Sequence, residues 1–189
     1  MDVVYGIFIW RIFFLLPKPD QPIWAWQTMG SFFSTHVLDF LLAIIALVIV
    51  IIYWLQNNLL FGSLKRTDSK HTVLAILQIF FLMLFLYSIK LGLSLGASSA
   101  TRAIESVTAA LVGIASIWGW SYAIKDGRLL ASEVSEAAAL QIKERIWVEP
   151  ATAIITLPFA FLGPIPWEIA WFLYPLIVYL MRRYPRALK

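Results

Sequence analysis

Three ionisable side chains stand inside otherwise apolar stretches of this chain. Arg11 lies near the middle of the first run, Asp39 near the outer end of the second, and Lys90 within the third. A charge at the centre of a bilayer costs roughly 2.5–3.5 kcal/mol on insertion scales, so such a group normally faces a partner or a water-filled path. The chemistry these positions suit is the passage or repulsion of small ions. Each also has a plainer use. Asp39 and Lys90 can snorkel or lie near the interface. Arg11, on a short helix, can reach a headgroup or pair with Asp2 or Asp39.

Catalysis finds no support in the remaining polar residues. His36 and His71 are far apart in the chain, and neither has a carboxylate at metal-ligand spacing. Phosphate-binding glycine loops and nucleophile elbows do not occur. Cysteine is absent, which excludes disulfides, thiol catalysis and cysteine-ligated metals. An enzyme, a metal site and a cofactor are therefore not expected. Gln78 and Ser88 in the third run are read as interhelical hydrogen bonds, and the small residues Ala109, Ala110, Gly113 and Ser116 of the fourth as a close-packing helix face.

The elements that must position these residues follow from composition. The 189 residues are 61% hydrophobic and 14% charged, with a mean hydropathy of +0.81. Soluble domains average roughly 45–50% apolar and 25% charged, so lipid must solvate the excess. The fold class expected is an all-α integral membrane protein forming one transmembrane domain, 1–189. Its six transmembrane helices fall at about 3–17, 31–55, 73–95, 104–124, 151–162 and 167–181. The first apolar run, Val3 to Leu16, is short, about 21 Å as a helix; without a basic leader or a cleavage site, it is read as retained rather than as a secretory signal. Val134, Ala138, Ile142 and Ile146 recur every fourth residue, so the charged stretch 125–149 reads as a cytoplasmic amphipathic helix ended by Pro150. Gly163-Pro164-Ile165-Pro166 is a turn signal for a closing hairpin.

Aromatic residues near the ends of the runs fit an interfacial belt: Trp24, Trp26, Tyr53, Trp54, Trp118, Trp120, Tyr122, Trp147, Trp167, Tyr179 and Tyr184. All Lys and Arg except Arg11, Lys18, Lys90 and Arg102 fall on one side of a six-span topology. By the positive-inside rule both termini are cytoplasmic. The formal charge of +4 is accounted for by these loops, and nucleic acid is discarded as a partner.

Over most of its length the chain resembles the transmembrane protein 175 potassium channels, lysosomal in animals and with shorter six-helix bacterial relatives. The match rests on the order and spacing of Tyr53-Trp54, Asn57-Asn58 (paired histidines in the family), Lys65-Arg66-Thr67-Asp68 and Phe80-Phe81-Leu82-Met83. The charged fourth-to-fifth connection and the proline-rich final hairpin are also similar. The family's signature Phe-Ser-Asp-Gly-Val-Phe opens a first helix that lines the pore of a tetramer. Here Asp2 falls on the signature Asp, Phe and Ser are missing, and Val3 replaces Gly. The family's third-helix prolines stand here as Ile89 and Leu91.

The resemblance implies a channel-like homo-oligomer in the lipid bilayer, with Asp2, Ile7, Arg11 and Phe14 lining the pore. The family's constricting rings of Ile and Leu fall at Ile7, Arg11 and Phe14. Several arginines around one axis repel potassium and one another, so an anion-permeable or closed pore is expected over a potassium pore. The alternative is a non-conducting accessory subunit of a larger membrane assembly, respiratory or photosynthetic. No inverted repeat or pair of broken helices supports a transporter.

Overall fold

The computed structural model describes residues 2–12, 14, 16–18 and 26–183. Among the described residues eight α-helices follow one another: α1 (Asp2–Ile12), α2 (Trp26–Thr35), α3 (Val37–Gly62), α4 (Ser69–Ser94), α5 (Ser99–Ile124), α6 (Glu136–Ala160), α7 (Pro164–Ala170) and α8 (Leu173–Arg183). Among the described residues three helical segments are long and apolar enough to cross a membrane: Asp39–Gly62, Ser69–Ser94 and Ser99–Gly127. At 1.5 Å per residue even the shortest measures roughly 36 Å, against a hydrocarbon core of roughly 30 Å. The protein is an all-helical integral membrane protein.

Several boundaries differ from those the sequence suggests. The first helix closes at Ile12. The expected span 31–55 is divided by a turn at His36, although helical hydrogen bonds continue through it (His36 N to Phe32 O and Phe40 N to His36 O, both 3.1 Å). Pro150 does not end the charged segment. Helix α6 runs through both Pro150 and Pro158, merging the amphipathic segment with the expected fifth span. Proline forfeits one helical hydrogen bond and crowds the preceding turn, but here packing overrides that cost. The Pro150 ring lies where Gly113 of α5 has no side chain, and a Cβ there would meet three ring carbons at 2.6–2.8 Å. The final run also divides, at Trp171-Phe172, into α7 and α8.

Two compact units are formed, one ending at Gly62 and the other starting at Ser63. In the first, α1 packs on α3. Tyr5, Phe8 and Ile12 of α1 are buried, as are Ala43, Ala46, Val50, Tyr53, Asn57 and Leu60 of α3. Both sets alternate steps of three and four residues, the spacing of a helix seam.

In the second unit α5 is flanked by α4 and α6. Its small-residue face is buried as expected, at Ala109, Ala110, Gly113 and Ser116. Ser88 reaches across to Thr108 at 3.0 Å, an interhelical bond of the kind expected. Gln78 is buried as well, but its Nε2 has no hydrogen-bond partner among the described residues. Helix α4 stops at Leu95, followed by Gly96 at φ +84°, a left-handed conformation that glycine adopts without steric cost. Ser98 then caps α5, accepting from Thr101 N at 3.2 Å while its own N–H donates to Thr101 Oγ1 at 2.9 Å.

The aromatic belt is only partly as expected. Trp26, Trp118, Trp147 and Tyr179 are exposed, whereas Tyr53, Trp120 and Trp167 are buried. Trp120 fails as an interfacial residue because its indole N–H donates to Ala139 O at 3.0 Å inside the packing of α5 on α6. Trp24 and Tyr184 lie outside the described residues.

Candidate functional site

The sequence singles out α1, and its two faces are differently used. Tyr5, Phe8 and Ile12 face the packing with α3. Asn57 Nδ2 donates to the Tyr5 hydroxyl oxygen and, at 3.1 Å, to Tyr53 O. Asp2 accepts from Trp54 Nε1 at 3.0 Å. On the other face Val3, Ile7 and Trp10 are exposed, and their spacing of four and three residues makes one stripe; Phe14, beyond the end of α1, is exposed as well, all four at 49–76%. Arg11 is exposed beside it. Its guanidinium lies 5.5 Å from the Trp10 ring centroid and 5.8 Å from that of Phe14. The two rings meet edge-to-face at 5.0 Å.

Of the residues assigned to a pore, Ile7, Arg11 and Phe14 therefore share one exposed side. Asp2 does not join them: at 100° per residue it is rotated roughly 140° from Ile7, toward Trp54. Neither carboxylate considered as an Arg11 partner is used by it. Asp39 Oδ2 instead takes His36 Nδ1 at 2.9 Å, so His36 has an i+3 carboxylate neighbour after all. Arg11 has no ion pair among the described residues, and no group of three metal-ligating side chains occurs among them. Lys90 is exposed one turn from the end of α4, where its stem can carry the charge to an interface.

A second constellation went unread in the sequence. Arg102 sits in the first turns of α5 rather than in a loop. Its Nη1 lies 3.0 Å from both oxygens of Glu105, and its Nη2 donates to Glu168 Oε1 of α7 at 2.6 Å. The guanidinium also covers the Trp167 ring at 4.8 Å. Trp167 Nε1 in turn donates to Ser106 Oγ at 2.7 Å, and Ser106 lies 3.3 Å from Thr156 of α6. Glu105 is only 3% exposed, and Gly92 of α4 leaves the space its carboxylate occupies. The start of α5 and α7 are thus held together by one arginine shared between two carboxylates, and Ser106 links α6 to them through Thr156. The i, i+3 pair Arg102 and Glu105 was the available signal, since opposite charges at that spacing are neighbours on a helix.

The opposite end of this unit is tied by backbone. Leu64 and Leu130 form an isolated antiparallel bridge, with Lys65 N to Leu129 O and Ala131 N to Ser63 O both at 3.0 Å. Asp68 caps α4 through His71 N at 2.8 Å and accepts the Tyr122 hydroxyl at 2.6 Å. The Tyr122 hydroxyl and then the His71 amide hold the Asp68 carboxyl below the usual aspartate range. Lys70 and Arg128 both lie on the Tyr122 ring, at 5.3 and 4.7 Å from its centroid. The loops carrying Lys65-Arg66 and Arg128 therefore share one end of the unit, as the distribution of charge anticipates.

No protein-family model matches this chain, and no curated protein does. Its fold is similar to that of a solved structure, a variant of the potassium channel MtTMEM175 in complex with a nanobody–MBP fusion protein. The TM-score is 0.68 at 15% sequence identity, covering 98% of this chain and 89% of that one. At that identity the likeness is one of fold, and the chain has a transmembrane protein 175-like fold.

Proposed function

We propose that this chain is a channel-like membrane subunit that assembles with copies of itself through α1, and that Arg11 opposes the passage of potassium. The observation that carries this reading is the exposed stripe Val3, Ile7 and Trp10, with Arg11 at its side and Phe14 beyond it, opposite the face buried on α3. The likeness in fold to a potassium channel supports it. Arg11 rests on aromatic rings instead of a carboxylate, so its charge remains to act on an ion nearby. Six spans with both termini cytoplasmic, in a bacterial cytoplasmic membrane, complete the arrangement.

Assembly is tested by the mass of the native particle in mild detergent. A small multiple of 21.5 kDa with no second protein is expected. Stable recovery within a much larger complex would contradict self-assembly and make the chain an accessory subunit.

A further inference from the structure

We propose that the end of the second unit where α4 begins and α5 ends binds the phosphate headgroup of an anionic phospholipid, at the Tyr122 ring between Lys70 and Arg128. The site depends on the membrane placement of α4 and α5 and is independent of conduction through α1. Three observations carry it. First, Lys70 and Arg128, distant in sequence, converge on one ring. The backbone tie between residues 63–65 and 129–131 fixes that convergence.

Second, neither cation is held in an ion pair, although the charge of Asp68 is felt by Arg128. Among the described residues neither Lys70 nor Arg128 has a carboxylate within ion-pair distance. The nearby Asp68 directs one oxygen to Tyr122 and the other to the α4 amide of His71. Exposed Lys65, Arg66 and Lys125 add positive charge at the same end, against the exposed Asp126, Glu133 and Glu136.

Third, the position is that of a headgroup. Lys70 is in the first turn of one spanning segment and Tyr122 near the end of the next. A tyrosine there stands at the depth where aromatic rings meet phosphates. Lysine and arginine at such a depth attract anionic lipid, each by roughly fivefold in affinity. Arginine adds planar donors matched to phosphate oxygens. A zwitterionic lipid carries the same phosphate but brings its own cation, so anionic lipid is the occupant that two cations without ion pairs select.

The test is native mass spectrometry of the delipidated full chain titrated with phosphatidylglycerol or phosphatidylcholine. Wild type is compared with the double variant Lys70→Gln, Arg128→Gln and with a charge-matched control, Lys143→Gln, Arg145→Gln. Expected is preferential retention of phosphatidylglycerol that falls roughly thirtyfold in the first variant and persists in the control. Equal retention by wild type and the Lys70/Arg128 variant would overturn the site, as would equal loss in the control. Displacement of the lipid by millimolar inorganic phosphate would also overturn it, assigning the site to a free anion. Since a misfolded variant would lose both lipids together, selective loss of phosphatidylglycerol separates the site from a folding defect.

Discussion

Arg102→Ala is expected to destabilise the second unit more than any other single substitution of a charged residue, by roughly 3–5 kcal/mol, the usual cost of removing one partner from a buried pair. Most of that loss comes from Glu105. Glu105 is 3% exposed, and its carboxylate would be left in the packing beside Gly92 without its cation. The contact of Arg102 with Trp167 disappears too. Glu168 contributes little, because its side chain is 53% exposed and pairs in water are worth roughly 0–1 kcal/mol. Arg102→Lys restores only part, since an ammonium cannot hold both Glu105 oxygens and Glu168 in one plane.

The diagnostic variant is Arg102→Ala combined with Glu105→Leu, which removes the stranded charge and is expected to recover much of the thermal stability in detergent. A double variant as unstable as Arg102→Ala alone would show that the loss had another origin. Glu168→Gln serves as the near-neutral control.

Gly113→Ala is expected to lower stability although alanine favours helix by roughly 0.8–1 kcal/mol over glycine. The added Cβ would stand 2.6–2.8 Å from three carbons of the Pro150 ring. That ring is fused to the α6 backbone and cannot swing aside as a flexible side chain would, so α6 itself must move. Overpacking of this kind costs roughly 1–3 kcal/mol and outweighs the gain in propensity. Gly119, on the same helix, provides the internal comparison. Its added Cβ would meet only Leu74 Cβ at 3.8 Å, an ordinary contact, so Gly119→Ala is expected to be neutral or stabilising. Thermal melting of the two variants should move in opposite directions. A parallel shift would mean that backbone propensity, not the seating of Pro150, governs α5.

The same contact explains why the sequence misleads around residue 150. A proline after a charged stretch is a sound stop signal when only local sterics are considered. What carries α6 past it is Gly113, some forty residues away in the chain, and no periodicity within either segment reports that pairing. Trp120 and Trp167 illustrate a related limit. An aromatic near the end of an apolar run suits an interface equally well as a core site where its N–H has a partner, and only the partners Ala139 O and Ser106 Oγ distinguish the two.

By contrast, the three long apolar helices, the small-residue face of α5 and the use of Ser88 between helices are legible, because each shows in the composition or periodicity of a single helix. Arg102 falls just outside the expected span 104–124, so the span itself offers no reason to set it on α5. Its role emerges only when α7 brings Glu168 and Trp167 to the start of α5. On α1, the steps of four and three residues from Val3 to Trp10 set Ile7 on an exposed stripe, whereas Asp2 joins the pore residues by resemblance alone and accepts from Trp54.

The most direct test of the proposed function is ion current through purified protein in planar bilayers under a potassium chloride gradient, comparing wild type with Arg11→Leu. Unit charges about 4 Å apart interact by roughly 4 kcal/mol at an effective dielectric of 20, and a tenfold change in rate needs only about 1.4 kcal/mol. The account predicts that wild type passes chloride or almost nothing. Arg11→Leu is then expected to raise potassium current at least about tenfold and shift the reversal potential toward potassium, while Arg11→Lys behaves as wild type. Equal currents and equal reversal potentials in wild type and Arg11→Leu would contradict it, removing Arg11 from any ion path.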